Sequence, residues 1–165
     1  MIQHFVIMGV SGCGKSSIGA AFAAAIDGQF IDGDDLHPAA NVEKMASGNP
    51  LNDEDRAPWL IKVGRALKGG AGPIVIGCSA LKRRYRDVIR TEARQPVMFI
   101  HLSGSREVLL ARLASRSAHF MPVSLLDSQL AVLELPDRDE DAVTVDINQS
   151  PRAVLSQLLS KTDRA

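Results

Sequence analysis

The chain has 165 residues, 45% of them hydrophobic, with 19 basic and 19 acidic side chains that cancel to a formal charge of zero. That length suits one domain with its own core, and without a basic excess there is no electrostatic reason to expect nucleic acid or an anionic membrane as partner. Two cysteines, Cys13 and Cys78, are too few for a disulfide framework and fit a reducing compartment.

The opening run from Ile2 to Val10 is apolar and short, lacks a basic start and leads into glycines, so it predicts a buried strand and not a signal peptide. No stretch has the length of a membrane span, and the cytoplasm is the expected location. Five apolar runs follow one another: His4–Met8, Gln29–Ile31, Ile74–Cys78, Val97–Leu102 and Ala142–Ile147. They are short, and most lack polar alternation, as strands covered by helices on both faces do. Helical periodicity fills the gaps. Ile18, Phe22, Ala25 and Ile26 share one face; Leu60, Val63 and Leu67 share another; Val154, Leu155, Leu158 and Leu159 mark the last. Ser124 to Asp127 reads as a capping box, and Ser150-Pro151 as a helix start. Gly69 to Pro73 ends a helix and turns the chain into the third strand. The prediction is an α/β fold of doubly wound type, a five-stranded parallel sheet with helices on both faces, in a single domain spanning 1–165.

Gly9-Val10-Ser11-Gly12-Cys13-Gly14-Lys15-Ser16 fits G-x-x-x-x-G-K-[ST] at every fixed position, after a strand and before a helix. Its backbone N–H groups form an anion cradle at a helix N-terminus. Lys15 is expected to reach the β- and γ-phosphates of ATP, with the Ser16 hydroxyl on Mg²⁺ and Ser17 beside it. No Asn-Lys-x-Asp motif suggests a regulatory GTPase. The third strand runs into Gly77-Cys78-Ser79 without the acidic residue of a motor ATPase. Instead Asp32-Gly33-Asp34-Asp35 closes the second strand, where period-two spacing puts Asp32 and Asp34 on one side at the edge that also carries the phosphate loop. One carboxylate can serve the Mg²⁺ shell while the other accepts the proton of an attacking hydroxyl, which together make a kinase.

The runs Asp32-Gly33-Asp34-Asp35-Leu36-His37-Pro38, Asn41 to Gly48 and Pro50 to Leu60 resemble the gluconate kinases. So do Cys78 to Lys82, Tyr85-Arg86-Asp87, Arg112 to Phe120 and Leu125 to Leu130, and together these cover nearly the whole chain. The resemblance implies ATP-dependent phosphorylation of gluconate to 6-phosphogluconate, a fold similar to shikimate and adenylate kinases, and a homodimer. Cys13 replaces a common Ser or Ala, and Ser117 and Ala118 stand where relatives often carry Lys and Gly.

On that basis Asp34 is the base or hydroxyl-orienting residue and Asp32 belongs to the Mg²⁺ shell. The substrate carboxylate calls for a cationic fork; Arg56, Lys82 and Arg86 are candidates, with His37 and Lys44 near the diacid loop. Arg83 and Arg84 read as a solvated helix face. Arg112 and Arg116, one helical turn apart, suit adenine stacking and γ-phosphate stabilisation in a lid spanning roughly 112–124. His119 touches substrate or phosphate, or is a surface histidine. Trp59, Met8, Met98 and Cys78 read as packing residues. A closing lid implies weak ATPase activity without sugar acid. The alternatives are a kinase of another hydroxy acid such as shikimate, against which His37-Pro38 and the Asn41–Gly48 run speak, and a nucleotide-binding regulator without turnover.

Overall fold

Apolar runs of Val, Ile, Phe and Met offer water nothing to bond except their backbone, so the chain pairs them side by side and covers both faces. The computed structural model describes residues 4–115 and 123–163. In chain order the elements are β1 (His4–Met8), α1 (Lys15–Ala25), β2 (Gln29–Asp32), a 3-10 turn (Gly33–Leu36), α2 (Ala39–Ala46) and α3 (Asp53–Ala66). There follow β3 (Ile74–Gly77), α4 (Arg83–Ala93), β4 (Val97–Ser103), α5 (Arg106–Ala114), α6 (Val123–Val132), β5 (Ala142–Asp146) and α7 (Pro151–Thr162). The sheet order is β2-β3-β1-β4-β5, with every pairing parallel. After β1 the chain builds outward to β2 and β3 on one side and later to β4 and β5 on the other. The loop after β1 therefore lies at the topological switch point, where open α/β sheets bind ligands.

Alternation along β1 sorts the core into two layers. Phe5 and Ile7 pack with Ile18 and Phe22 of α1 and with Val154 and Leu158 of α7. Val6 and Met8 pack with Trp59, Leu60 and Val63 of α3 and with Tyr85 and Ile89 of α4. Fully burying a side chain such as Phe22 contributes about 1.5–3 kcal/mol. The phosphate loop and the diacid loop are fixed by register: Ile7 and Asp32 both lie level with Gly77.

The five predicted strands are present within a residue or two, and Met8, Met98 and Cys78 are buried. Ser150 caps α7, accepting from the Ala153 N–H at 3.1 Å. Two local expectations fail. In α1 Ala23 is buried while Ala25 is exposed, because the inward stripe turns with Ile18 and Phe22. Ser124 lies inside α6, and Asp127 accepts from Arg106 at 2.7 Å instead of closing a capping box. The box that does form was not predicted: Asn52 accepts from the Asp55 N–H at 2.8 Å and Asp55 accepts from the Asn52 N–H at 2.9 Å, starting α3.

Candidate active site

Because the loop after β1 must turn sharply into α1, its last glycine caps the helix in the left-handed region, Gly14 at φ 96°. Lys15 folds back over the first half of the loop, donating to the carbonyls of Gly9 at 3.0 Å and Val10 at 3.1 Å. That sets its ammonium at the Gly9–Ser11 end. At the opposite end Gly12, Gly14 and Ser17 meet Arg112 and Pro151 in a cleft of ≈ 190 Å³. It borders a wider one of ≈ 420 Å³ between Val108 and Arg112 on α5 and Ile147 to Gln149 after β5. Arg112 is steered there by donating to the Ile147 carbonyl at 2.6 Å. The loop thus has a cationic end and a cleft end, as an elongated triphosphate nucleotide needs. Cys13 is buried beneath it.

The diacid loop packs so tightly on β3 that a β-carbon at Gly33 would run into the Gly77 carbonyl, which only glycine avoids. Asp32 caps the 3-10 turn, accepting from the Asp34 N–H at 3.0 Å. Asp34 keeps exposed surface, yet its carboxyl is partly desolvated by the protein around it. That desolvation, with repulsion from Asp32, raises its carboxyl above the ordinary value, while Lys15 and His37 pull the other way. Ser16 is exposed beside the loop. Hydroxyl and carboxylate oxygens are the donors that Mg²⁺ takes. Among the described residues no three His, Cys, Asp or Glu form a closed cage.

Trp59 is only 4% exposed but does more than pack. Its indole donates to the Gly33 carbonyl at 2.7 Å, and its face stacks on His37 with centroids 4.1 Å apart and planes at 17°. Asn41 bridges His37 at 3.3 Å and the Asp55 carbonyl at 2.8 Å. Burial lowers the His37 pKa, against the pull of Asp34. Lys44 is engaged by Asp55 at 2.6 Å, bracing α2 on the start of α3. Sequence reading missed Asn41 and the dual role of Trp59; the spacing of His37 and Asn41, four apart beside the turn, was the available signal.

Between α3 and α4 lies a cationic patch. Arg56, Lys82 and Arg84 all sit within 5.7 Å of the Tyr85 ring centroid. Asp53 is the carboxylate that all three share, bonded to Tyr85 and Arg84 and 3.9 Å from both Arg56 and Lys82. Arg84, read from sequence as solvated, is thus part of this patch. Arg86 is not. Its side chain is fully buried on the sheet side of α4, donating to Glu140 at 3.1 Å and to the Ala80 carbonyl at 2.9 Å. The expectation that Arg86 grips substrate is therefore corrected: the guanidinium is committed to a buried carboxylate. Arg116 and His119, and most of the expected lid, lie outside the described residues.

A parallel sheet with a phosphate loop at its switch point, a diacid turn on the same edge and a separate cationic patch defines a P-loop kinase of small molecules. The AAA-domain family model matches residues 5–136. Thermosensitive gluconokinase of Escherichia coli (strain K12) is 48% identical over 161 residues, covering 94% of this chain and 84% of the relative. The crystal structure of a gluconokinase from Sinorhizobium meliloti 1021 superposes with a TM-score of 0.90 at 46% identity, over 98% of this chain and 91% of the other. Shikimate kinase from Aquifex aeolicus shares the fold alone, with a TM-score of 0.63 at 13% identity over 97% and 96% of the two chains. The chain belongs to the gluconokinase family.

Proposed function

We propose that this protein transfers the γ-phosphate of ATP to the 6-hydroxyl of D-gluconate, giving 6-phospho-D-gluconate and ADP. The observation that carries the reading is Asp34, within electrostatic reach of Lys15 and on the sheet edge that bears the phosphate loop. A carboxylate there can orient the acceptor hydroxyl in line with the γ-phosphorus and take its proton as the bond forms. In a loose, metaphosphate-like transition state the proton leaves late, so orientation is the larger part of its task. Gly9, Val10, Ser11, Gly12, Cys13, Gly14, Lys15, Ser16 and Ser17 hold the triphosphate, and Arg112 borders the base-end cleft. Ser16 and Asp32 would hold Mg²⁺, which would supply charge neutralisation for the transferring phosphate.

At the proposed acceptor end Arg56, Lys82 and Arg84 share Asp53, and this cluster of cations can take the carboxylate of an aldonic acid. Arg56 and Lys82 are the groups assigned to it, His37 lines the polyol side, and Lys44 acts through Asp55. Family membership supports Arg116 and His119 as lid contacts, and also a homodimer working in the cytoplasm. Among the described residues no helix is long and apolar enough to cross a membrane.

The test is ADP release with Mg-ATP against gluconate, shikimate, AMP and no acceptor. Turnover of about 1–100 per second is expected with gluconate alone. Turnover with another acceptor only would overturn the substrate, and silence with all four would favour a nucleotide-binding regulator.

A further inference from the structure

One residue of the phosphate loop is held from far away in the sequence. The Ser11 N–H donates to the Gln129 side-chain oxygen Oε1 at 2.7 Å, across 118 residues. Gln129 rides on α6, and α6 is clamped along its length. Leu126 is fully buried, and Asp127 is paired with Arg106. Beyond its end the Glu134 N–H donates to the Leu81 carbonyl at 2.7 Å, while the Glu134 carboxylate accepts from the Arg83 N–H at 2.9 Å. So α6 joins the nucleotide loop to the segment that carries Lys82.

The loop's polarity says which part of the nucleotide meets Ser11. Arg112 and the cleft lie beside Gly12, Gly14 and Ser17, whereas the Lys15 ammonium bonds the carbonyls of Gly9 and Val10. Since that lysine reaches the β- and γ-phosphates, the Gly9–Ser11 end is the γ end. Gln129 spends its acceptor on Ser11. Its amide nitrogen, held about 2.2 Å from that oxygen by covalent geometry, makes no hydrogen bond among the described residues. A carboxamide with its oxygen tied to the loop presents two N–H donors at the γ end and no negative charge.

We propose that Gln129 is a γ-phosphate-binding residue: it braces the loop through Ser11 and donates through Nε2 to a γ-phosphate oxygen. This rests on ATP being the donor and is independent of which acceptor is used. Its functional consequence is discrimination. ADP, which lacks the γ-phosphate, gains nothing from the amide, so the residue favours the substrate nucleotide over the product.

The test compares the Kd of a non-hydrolysable ATP analogue with that of ADP in wild-type protein, Gln129→Glu and Gln129→Met. Glutamate can still accept from Ser11 but sets a negative charge against the γ-phosphate; methionine keeps length and removes both bonds. Both constants are read from the same folded population, so their ratio is insensitive to lost stability. The expected result is that Gln129→Glu weakens the ATP analogue about 30-fold while ADP changes less than about threefold. Gln129→Met should weaken the analogue about fivefold, again sparing ADP. An equal loss for both nucleotides would reduce Gln129 to a brace of the loop, and unchanged constants would remove it from the site; either overturns the proposal. Failure of the gluconate reading would appear in the acceptor panel and leave this ratio intact.

Discussion

The phosphate loop and the region assigned above to the acceptor are built differently. The loop is backbone: nine consecutive residues from Gly9 to Ser17 turn under Lys15 and start α1. The proposed acceptor region is side chain: Trp59, His37, Asn41, Asp55, Tyr85 and Lys82 come from four separate segments and are linked by hydrogen bonds, a stack and cation–π contacts. A phosphate is the same in every nucleotide, so one contiguous backbone motif can hold it. A sugar acid must be told from its relatives, which requires separately placed polar groups. A contiguous motif is legible as a string, and an assembled network is not.

Breaking each part sharpens that contrast. The largest effect on stability is expected behind the acceptor region, not in it. Glu140 has no exposed side-chain surface and neutralises Arg86, with Arg90 at 3.4 Å. Glu140→Ala strands a buried guanidinium and should cost about 3–5 kcal/mol in urea unfolding. The gluconate KM of the folded fraction should stay within about twofold, because both side chains of the pair are fully buried. A large rise in KM without loss of stability would return Arg86 to the substrate site.

Smaller effects are expected in the cationic patch. Arg56→Met and Lys82→Met should each raise the gluconate KM about tenfold and leave the ATP KM and kcat within about threefold, as measured by steady-state kinetics. Both side chains are partly exposed, so solvent screens the loss. A change confined to the ATP KM would place these cations on the nucleotide instead.

The sheet, its helices, the phosphate loop and the diacid turn were readable because each is a local pattern with a physical period or a fixed spacing. Arg86 was misread for a definite reason. A turn of helix from Lys82 to Arg86 says that the two share a face, but not that Tyr85, Arg86 and Ile89 point inward while Lys82 precedes the helix. What decides is Glu140, 54 positions away, and no local pattern announces it. The position of Trp59 beside the apolar face of its helix announces packing; its indole N–H and the adjacent imidazole give it the second role. Gln129 lay within a run that resembles the family, yet its bond to Ser11 exists only once α6 is packed.

The most direct measurement is kcat/KM for gluconate against pH in wild type and Asp34→Asn. Desolvation and Asp32 raise the Asp34 carboxyl, so its protonation should cut activity on the acid side from above the ordinary aspartate range. With the pKa raised on folding, the stability contribution runs oppositely: favourable at low pH and lost as pH rises through the folded value. Falling activity in acid therefore reports chemistry, not unfolding of this group. Asp34→Asn keeps the size and removes the charge; it should lower kcat at least about 10²-fold and abolish that limb, with ATP affinity retained. Full activity with an unchanged acid limb would contradict the assignment of Asp34 to the acceptor hydroxyl.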